Sequence, residues 1–181
     1  MDKCRCNWCN LKNPLYVKYH DEEWGVLRTD DEYLFEMLIL EGFQAGLSWE
    51  CVLNKRDAFR AAFDDFCIDK IIGYTQGKLT ELSENKGIIR NKLKIGTTVT
   101  NALCFKQIVE EHGSFYTYLC TFTDGKVYKE YGLTRSPLSD SISKDLQRRG
   151  MRFVGSVIIY SYLQAIGIII SHDEGCYLHT V

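Results

Sequence analysis

The sequence has little proline: Pro14 and Pro137 are the only two in 181 residues. Few helix breakers, together with long stretches in which apolar residues recur with the period of a helix, predict an all-α fold. No internal repeat or low-complexity tract is present, which excludes repeat and fibrous architectures. A chain of this length suits a single domain over residues 1–181, with two small helical lobes as the alternative.

An excess of positive charge and long hydrophobic runs are also lacking. The formal net charge is −2, which argues against a protein that coats nucleic acid or anionic membranes by bulk charge, so a polyanion must meet a local basic patch. The most apolar late segment, residues 154–170, is interrupted by polar residues and is short for a bilayer span of roughly 20 apolar residues. Because no apolar leader follows Met1, we expect a cytoplasmic protein without membrane contact.

Residues 30–45 have the pattern of a helix that ends on a carboxylate. Asp30 or Asp31 can cap a helix that runs to about Ala45, and the spacing of Leu38 and Glu41 places both on its inner face. Glu41 is then either a helix-end carboxylate that reaches water or a buried acceptor. A buried carboxylate needs hydrogen-bond donors, which a bound ligand can supply.

The rest of the chain is also read as helices. Ser48 is a plausible N-cap for a helix that extends to Phe66, and two helices flank residues 85–87, the second with Ile88 on its inner side. Residues 113–138 are expected to be irregular. A short helix ends at Gly150, and a buried central helix follows it.

Eight cysteines in a chain without a leader are expected to be thiols or metal ligands rather than disulfides. Cys6, His20, His172 and Cys176 could together form a closed tetrahedral site for a structural metal, and the last two would share one side if their segment were helical. Unrelated thiols and surface histidines are the alternative. A further reading is a redox pair of Cys6 and Cys9, but no βαβ pattern surrounds it.

Aromatic residues flank Glu41 in the sequence, and basic residues form two clusters. The aromatic set is Trp8, Tyr16, Tyr19, Trp24 and Trp49. Each alone would suit a core, but with a buried carboxylate they describe a pocket for a flat, electron-poor ring. The basic clusters, each either a solvated face or a phosphate contact, are Lys86, Arg90, Lys92 and Lys94, and then Lys144, Arg148, Arg149 and Arg152.

Six ordered blocks carry a resemblance to a known family. They are "CNW", "NPLYVKYHDEEWGV", "LFEMLILEGFQAGLSWECVLNKR", "NKGIIRNKLKI", "SKDLQRRGMRFVGSVIIYSYLQAIG" and "HDEGC". Nearly the whole chain resembles the bacterial 3-methyladenine DNA glycosylases of type I. The resemblance implies an all-α helix-hairpin-helix DNA glycosylase fold and an enzyme that excises 3-methyladenine from alkylated double-stranded DNA. A zinc-stabilised nucleic-acid-binding module without catalysis is the alternative.

The resemblance also implies roles for single residues. It makes Cys6, His20, His172 and Cys176 the ligands of one structural Zn²⁺ that joins the terminal segments, although Cys4 or Cys9 could replace Cys6. Glu41 would hydrogen-bond the base and Trp49 would stack on it. The implied neighbours of these two in the pocket are Tyr19, Tyr16 and Trp8.

For DNA, we expect Gln44, Gly46 and Leu47 to fill the gap left by a flipped base. The hairpin residues Lys86, Gly87 and Arg90 would contact the DNA backbone. Water would attack the sugar carbon, so a monofunctional, monomeric enzyme would leave an abasic site and release free 3-methyladenine. The chain has Phe43 where related members often carry glutamine, which affects either the pocket rim or packing.

Overall fold

The computed structural model describes residues 3–179, so the first two and last two residues of the expected domain lie outside the description. These residues form ten α-helices, a 3₁₀ turn and a pair of two-residue strands. In chain order the helices are α1 (Pro14–Glu22), α2 (Asp31–Gln44), α3 (Trp49–Leu53), α4 (Arg56–Ala62), α5 (Ile68–Ile72), α6 (Gln76–Glu84), α7 (Lys92–His112), α8 (Phe115–Thr123), α9 (Pro137–Arg148) and α10 (Ser156–Ala165). The 3₁₀ turn is Asp64–Phe66, and the strands are β1 (Tyr128–Lys129) and β2 (Ile169–Ile170).

Helix α2 lies at the centre of the fold. It packs against α10, α7, α3 and α8, and α10 in turn packs against α9. Every residue of α2 from Leu34 to Phe43 is buried. A helix that is apolar nearly all round is stable only inside a protein, and this one therefore carries its last turn into the interior.

Side-chain caps set the ends of the helices around α2. The Asp30 carboxylate accepts a hydrogen bond from the Tyr33 amide, and the Ser48 hydroxyl accepts one from the Cys51 amide. Both caps were expected from the sequence and are confirmed. Asn91 caps α7 by accepting from two amides, which satisfies donors that have no partner within the helix.

A buried ion-pair network joins α1, α2 and α4. Arg56 donates to Glu36 at 2.8 Å and to Glu23 at 2.6 Å, and Arg60 donates to Glu36 at 2.7 Å. Two guanidinium groups compensate the desolvation of the Glu36 carboxylate, whose pKa is lowered despite its burial. The network therefore holds the end of α1 against the helices that follow α2.

The chain departs from the predicted elements in four places. The helix expected from Ser48 to Phe66 is divided into α3, α4 and the 3₁₀ turn, whose three residues all have φ between +53° and +57°. Ile88 precedes α7, because the Asn85 and Asn91 side chains bind nearby backbone amides and compete with helix formation. The segment expected to be irregular contains α8, which Ser114 caps.

The fourth departure is the last apolar segment, which forms two elements instead of one helix. Helix α10 ends at Ala165, and β2 pairs in parallel with β1. Gly167 between them has a φ of +77°, and a Cβ there would lie 2.3 Å from backbone atoms of Val26 and Leu27. The fold is mostly helical, as predicted, with this short strand pair as the exception.

No helix within residues 3–179 is both long enough and apolar enough to span a membrane.

We expect Gly167→Ala to lower the free energy of unfolding by about 2–5 kcal/mol, from left-handed strain of about 1–2 kcal/mol plus overpacking of about 1–3 kcal/mol. Gly125→Ala is the matched control, because Gly125 has a similar φ of +69° but open space around its Cβ position. It should cost only the strain, about 1–2 kcal/mol. Urea unfolding of both variants measures the difference, and equal losses would show that the close approach at Gly167 is unimportant.

Candidate functional site

A cavity of about 290 Å³ lies at the C-terminal end of α2. Its wall comes from α1, α2, α3, α10, the loop after β1 and the segment after β2. The lining residues are Trp8, Tyr16, Tyr19, Trp24, Glu41, Gln44, Trp49, Gly132, Leu133, Ser161, Gln164, Ser171 and Asp173. Its volume is near the lower end of the range for small-molecule sites.

Glu41 is the charged group that α2 carries into this cavity. Its side chain is buried, with the residue 3% exposed, and its Oε2 atom has no hydrogen-bond partner among the described residues. Burial alone raises the pKa of this carboxyl to about 8. An unpartnered buried acceptor costs free energy that a ligand with N–H donors can recover.

Aromatic rings surround the carboxyl. The Tyr19 and Trp49 rings have centroids 5.4 Å apart, and the Trp8 ring lies 5.2 Å from Tyr16 and 4.8 Å from Trp24. The Trp49 Nε1 atom is also buried without a partner. The cavity thus combines flat apolar surfaces with one unsatisfied donor and one unsatisfied acceptor, which suits a planar ring with polar edges.

The two tyrosines remain neutral in this environment. Burial raises the pKa of Tyr16 to about 12, and it raises the pKa of Tyr19 well above its ordinary value. Both phenols therefore keep their protons at neutral pH and can act as hydrogen-bond donors. The structure brings all five base-binding and catalytic candidates, Glu41, Trp49, Tyr19, Tyr16 and Trp8, to one cavity.

Several lining residues were missed at the sequence level. Ser161 and Gln164 lie three positions apart on the otherwise apolar α10, a spacing that indicates one polar face and could have pointed to them. Leu133 comes from a loop that carries no periodic signal. Asp173 lies inside the "HDEGC" block between two of the metal-ligand candidates, and its type and position carry no signal that separates a cavity-lining residue from a surface one.

Cys6, His20, His172 and Cys176 form a buried cluster that could hold a metal ion. Their ligand atoms all lie within 4.8 Å of one another. The Cys6 Sγ is 3.4 Å from His172 Nδ1, and the Cys176 Sγ is 3.5 Å from His20 Nε2. One ion with bonds of about 2.0–2.3 Å can bridge such separations, and two sulfur and two nitrogen donors fit a tetrahedral site.

The alternative cysteine ligands lie apart from this cluster. Cys4 is exposed, and the Cys9 thiol faces the Tyr16 carbonyl oxygen at 3.8 Å. Residues 172–176 form a turn rather than a helix, so the helical spacing considered for His172 and Cys176 is wrong, although the turn still brings both side chains together.

A second layer of contacts orients the cluster and connects it to the cavity. The His20 Nδ1 atom is 2.9 Å from an Asp21 oxygen, and Arg5 holds the pKa of Asp21 well below its usual range. A carboxylate on the far nitrogen of a histidine is the usual support of a metal ligand. The Trp8 ring lies 5.2 Å from the His20 ring, and the Trp24 ring lies 4.7 Å from the His172 ring. The cluster and the cavity therefore share these tryptophans.

Burial favours the neutral forms of two of these side chains, the Cys6 thiol and the His172 imidazole. It raises the pKa of the Cys6 thiol to about 12 and lowers that of His172 to about 4. Neutral imidazole is ready to bind a cation, whereas the thiol must lose its proton on binding, so the affinity for a metal is expected to rise with pH.

The DNA-binding candidates lie in two segments, the loop after α2 and the turn between α6 and α7. Gln44 lines the cavity, and the loop after it exposes Gly46 and Leu47, with Leu47 44% exposed. The Gly46 backbone is left-handed, with a φ of +85°. The turn between α6 and α7 exposes Lys86 and Arg90, and the carbonyl of Gly87 accepts a hydrogen bond from Lys55 Nζ.

The basic clusters are smaller than the sequence implies. Lys94 is buried and donates to two backbone carbonyls, so it does not belong to the surface of the hairpin. Arg149 pairs with Asp145 and Glu111, and Arg148 also pairs with Asp145. These ion pairs neutralise two of the four cations of the second cluster.

Phe43 takes no part in the cavity. Its buried ring lies 4.8 Å from the Phe59 ring and 6.1 Å from the Phe63 ring. Its difference from related sequences therefore concerns packing on the far side of α2.

Comparisons with known proteins show the family to which the chain belongs. The model of the family described as methyladenine glycosylase matches residues 8–179. DNA-3-methyladenine glycosylase 1 of Escherichia coli (strain K12) is 39% identical over 178 residues, which cover 95% of each chain. A crystal structure of 3-methyladenine DNA glycosylase I matches with a TM-score of 0.92 at 40% identity and covers 98% of this chain and all of that one.

A crystal structure of a 3-methyladenine DNA glycosylase I variant in complex with 3-methyladenine matches with a TM-score of 0.89 at 32% identity. The match covers 94% of this chain and 96% of that one. The resemblance seen in the sequence is confirmed, and the chain belongs to the methyladenine glycosylase family.

Proposed function

We propose that this protein is a DNA repair glycosylase that flips 3-methyladenine out of alkylated double-stranded DNA and excises it hydrolytically. The observation that carries the proposal is the unpartnered, buried Glu41 carboxyl in an aromatic cavity. Family membership and the complex of a related protein with 3-methyladenine support it. The chain would act as a single glycosylase domain and a monomer in the cytoplasm.

In this proposal Glu41 recognises the base. Its carboxylate accepts a hydrogen bond from the exocyclic amine, and Trp49 stacks on the ring, with Tyr19, Tyr16 and Trp8 around it. Alkylation at N3 gives the base in DNA a positive charge. A cationic ring favours both the carboxylate and the aromatic faces, so the site would bind damaged adenine better than the neutral bases.

The bond to the sugar breaks by hydrolysis. A cationic base is a good leaving group, so the enzyme has less of the barrier to lower than it would for a normal base. Among the described residues, no lysine lines the cavity, so nothing suggests a Schiff base with the sugar. Water would attack the sugar carbon, and a monofunctional reaction would leave an abasic site and free 3-methyladenine.

We assign DNA contacts to two surface segments. The loop with Gln44, Gly46 and Leu47 would enter the gap left by the flipped base, since Leu47 is exposed beside the cavity. Helices α6 and α7 would act as the helix-hairpin-helix element, in which Lys86, Gly87 and Arg90 contact phosphates.

We assign one structural Zn²⁺ to Cys6, His20, His172 and Cys176. The two sulfur and two nitrogen donors suit zinc, and with four protein ligands no position is left open for substrate. The ion would join the N-terminal and C-terminal segments of the domain. Its contribution to function would be the support of Trp8 and Trp24, which touch the histidine ligands.

The function is tested by incubating the protein with methylated duplex DNA and identifying the released bases by chromatography. Release of 3-methyladenine, with 7-methylguanine retained in the DNA, would support a selective glycosylase. If a folded, metal-loaded protein released no base, the proposal would be wrong, and the alternative of a binding module without catalysis would take its place.

Glu41→Gln should weaken binding of free 3-methyladenine about 10–100-fold, because it removes a charge-assisted hydrogen bond worth about 1.5–3 kcal/mol. Excision should slow as well. The control is Glu32→Gln, an exposed position on the same helix, which should change neither. Isothermal titration with the free base measures the first effect, and unchanged affinity in Glu41→Gln would remove Glu41 from base recognition.

Glu41 should also make the folded protein less stable at high pH. In the folded state the pKa of Glu41 is raised from 4.5 to about 8. As the pH rises between these two values, Glu41 ionises in the unfolded chain but stays protonated in the folded one, so the unfolded state becomes more stable relative to the folded state. The free energy of unfolding of Glu41→Gln should therefore exceed that of the wild type increasingly from pH 5 to 8.5, by up to ~5 kcal/mol. Urea unfolding at a series of pH values measures the free energy of unfolding of both proteins. If the two values changed with pH in parallel, this prediction would be wrong.

Cys6→Ser should bind much less than one metal ion per chain, whereas Cys4→Ser should retain a full site, because Cys4 lies outside the cluster. A metal ion present at about 100 times its Kd stabilises the folded protein by about 2.7 kcal/mol, so its loss should lower Tm by roughly 5–11 °C in a chain of this size. Metal analysis and thermal unfolding, with and without a chelator, measure both effects. Loss of metal from Cys4→Ser would instead identify Cys4 as the ligand.

A further inference from the structure

Lys94 is a buried lysine whose ammonium binds the end of α2. It lies in the first turn of α7, and its Nζ atom donates to the carbonyl of Phe43 at 2.9 Å and to that of Ala45 at 2.8 Å. Burial lowers the pKa of Lys94. A lysine held inside a protein at this cost, with two specific acceptors, indicates a constraint on the backbone it binds.

The end of α2 has few other means of satisfying its carbonyls. The last carbonyl groups of a helix lack intrahelical partners, and a positive charge there also interacts favourably with the helix dipole. No basic residue lies in the last turn of α2, and Ala45, with a ψ of 112°, leaves the helical conformation. Lys94, 51 residues after Phe43 in the chain, supplies the missing donor from another helix.

A strained residue covers Lys94 on its other side. The Phe153 ring centroid is 5.6 Å from the Lys94 Nζ, and Phe153 has a φ of +57°, which is unfavourable for a bulky side chain. A Cβ at Gly42 would lie 3.5 Å from Phe153. Asn101 of α7 binds both the amide and the carbonyl of Arg152, which holds this segment in place. The last turn of α2 is therefore held in place by contacts with α7 and with the connection between α9 and α10.

The last turn of α2 and the loop that follows it contain the residues to which we assigned recognition of the base and insertion into the gap in the duplex. Glu41 lies in the last turn of α2, and the loop with Leu47 follows directly. Lys94 itself lies four residues after Arg90 of the exposed hairpin turn. One side chain therefore connects the surface assigned to phosphate contacts with the backbone that presents the pocket and the loop.

We propose that Lys94 is a positioning residue, which fixes the end of α2 and the loop of residues 45–48 relative to the hairpin so that a base can be extracted from duplex DNA. The inference rests on the proposed function. The inference goes beyond the proposed function, because it assigns a role in base extraction to a residue outside the cavity. Binding of the free base, in contrast, should depend on the cavity alone.

The test compares Lys94→Met with Lys106→Met. Lys106 is a lysine of the same helix whose partner is Asp69 at the surface, 12 residues from Lys94. In Lys94→Met, single-turnover excision of 3-methyladenine from methylated duplex DNA at saturating enzyme should be at least tenfold slower. The dissociation constants for free 3-methyladenine and for the duplex should change by less than threefold. Lys106→Met should match the wild type in all three.

A role in stability alone would reduce the number of active sites without changing the rate per site, so the sites are counted by titration with free 3-methyladenine. Lys94→Arg, which keeps the charge and the donors, should restore the rate to within threefold of the wild type. An unchanged duplex rate in Lys94→Met, or a loss of free-base affinity in parallel with the rate, would overturn the proposal.

If Lys94→Met does not fold, Lys94→Gln replaces it, and failure of both to fold would assign Lys94 to stability and overturn the inference. The wild-type reaction separates this result from failure of the proposed function. Wild-type protein that excises the base while Lys94→Met does so equally fast refutes only the role of Lys94, whereas inactive wild-type protein refutes the glycosylase itself.

Discussion

The structure is organised around one unsatisfied interaction, the Glu41 carboxyl that is buried at the end of α2 with an oxygen that lacks a hydrogen-bond partner among the described residues. The apolar surface of α2 places it there, because the helix is buried from Leu34 onwards. The surrounding rings exclude water and offer no compensating charge, which is why its pKa rises. A site of this kind gives up stability in the free protein and recovers it when a ligand supplies donors.

The cavity and the metal-binding cluster share the same two tryptophan rings. Trp8 and Trp24 contact the histidines on one side and line the cavity on the other. The N-terminal and C-terminal segments are far apart in the chain, so the cluster depends on the tertiary fold that brings them together. A metal bound there would stabilise the cavity wall without touching the ligand in it.

Charge is used locally in this protein. The net charge is −2, Arg148 and Arg149 are engaged in ion pairs, and Lys94 is turned inward. The exposed cations of the hairpin, Lys86 and Arg90, remain available to phosphates. Selectivity for damaged DNA would therefore come from the pocket, since surface cations that contact phosphates can contribute affinity but cannot distinguish one base from another.

The sequence by itself determined the helical class, the cap of α2 at Asp30 or Asp31, the cap at Ser48 and the position of Glu41 on the inner face of α2, because these depend on local capping and on helical periodicity. It also pointed to the aromatic set and to the four metal-ligand candidates by their residue types. Only the tertiary structure decided that Lys94 leaves the basic surface, that Leu133 and Asp173 reach the cavity, and that Gly167 lies against the backbone of Val26 and Leu27. Each of these depends on contacts between segments far apart in the chain, which no local pattern encodes.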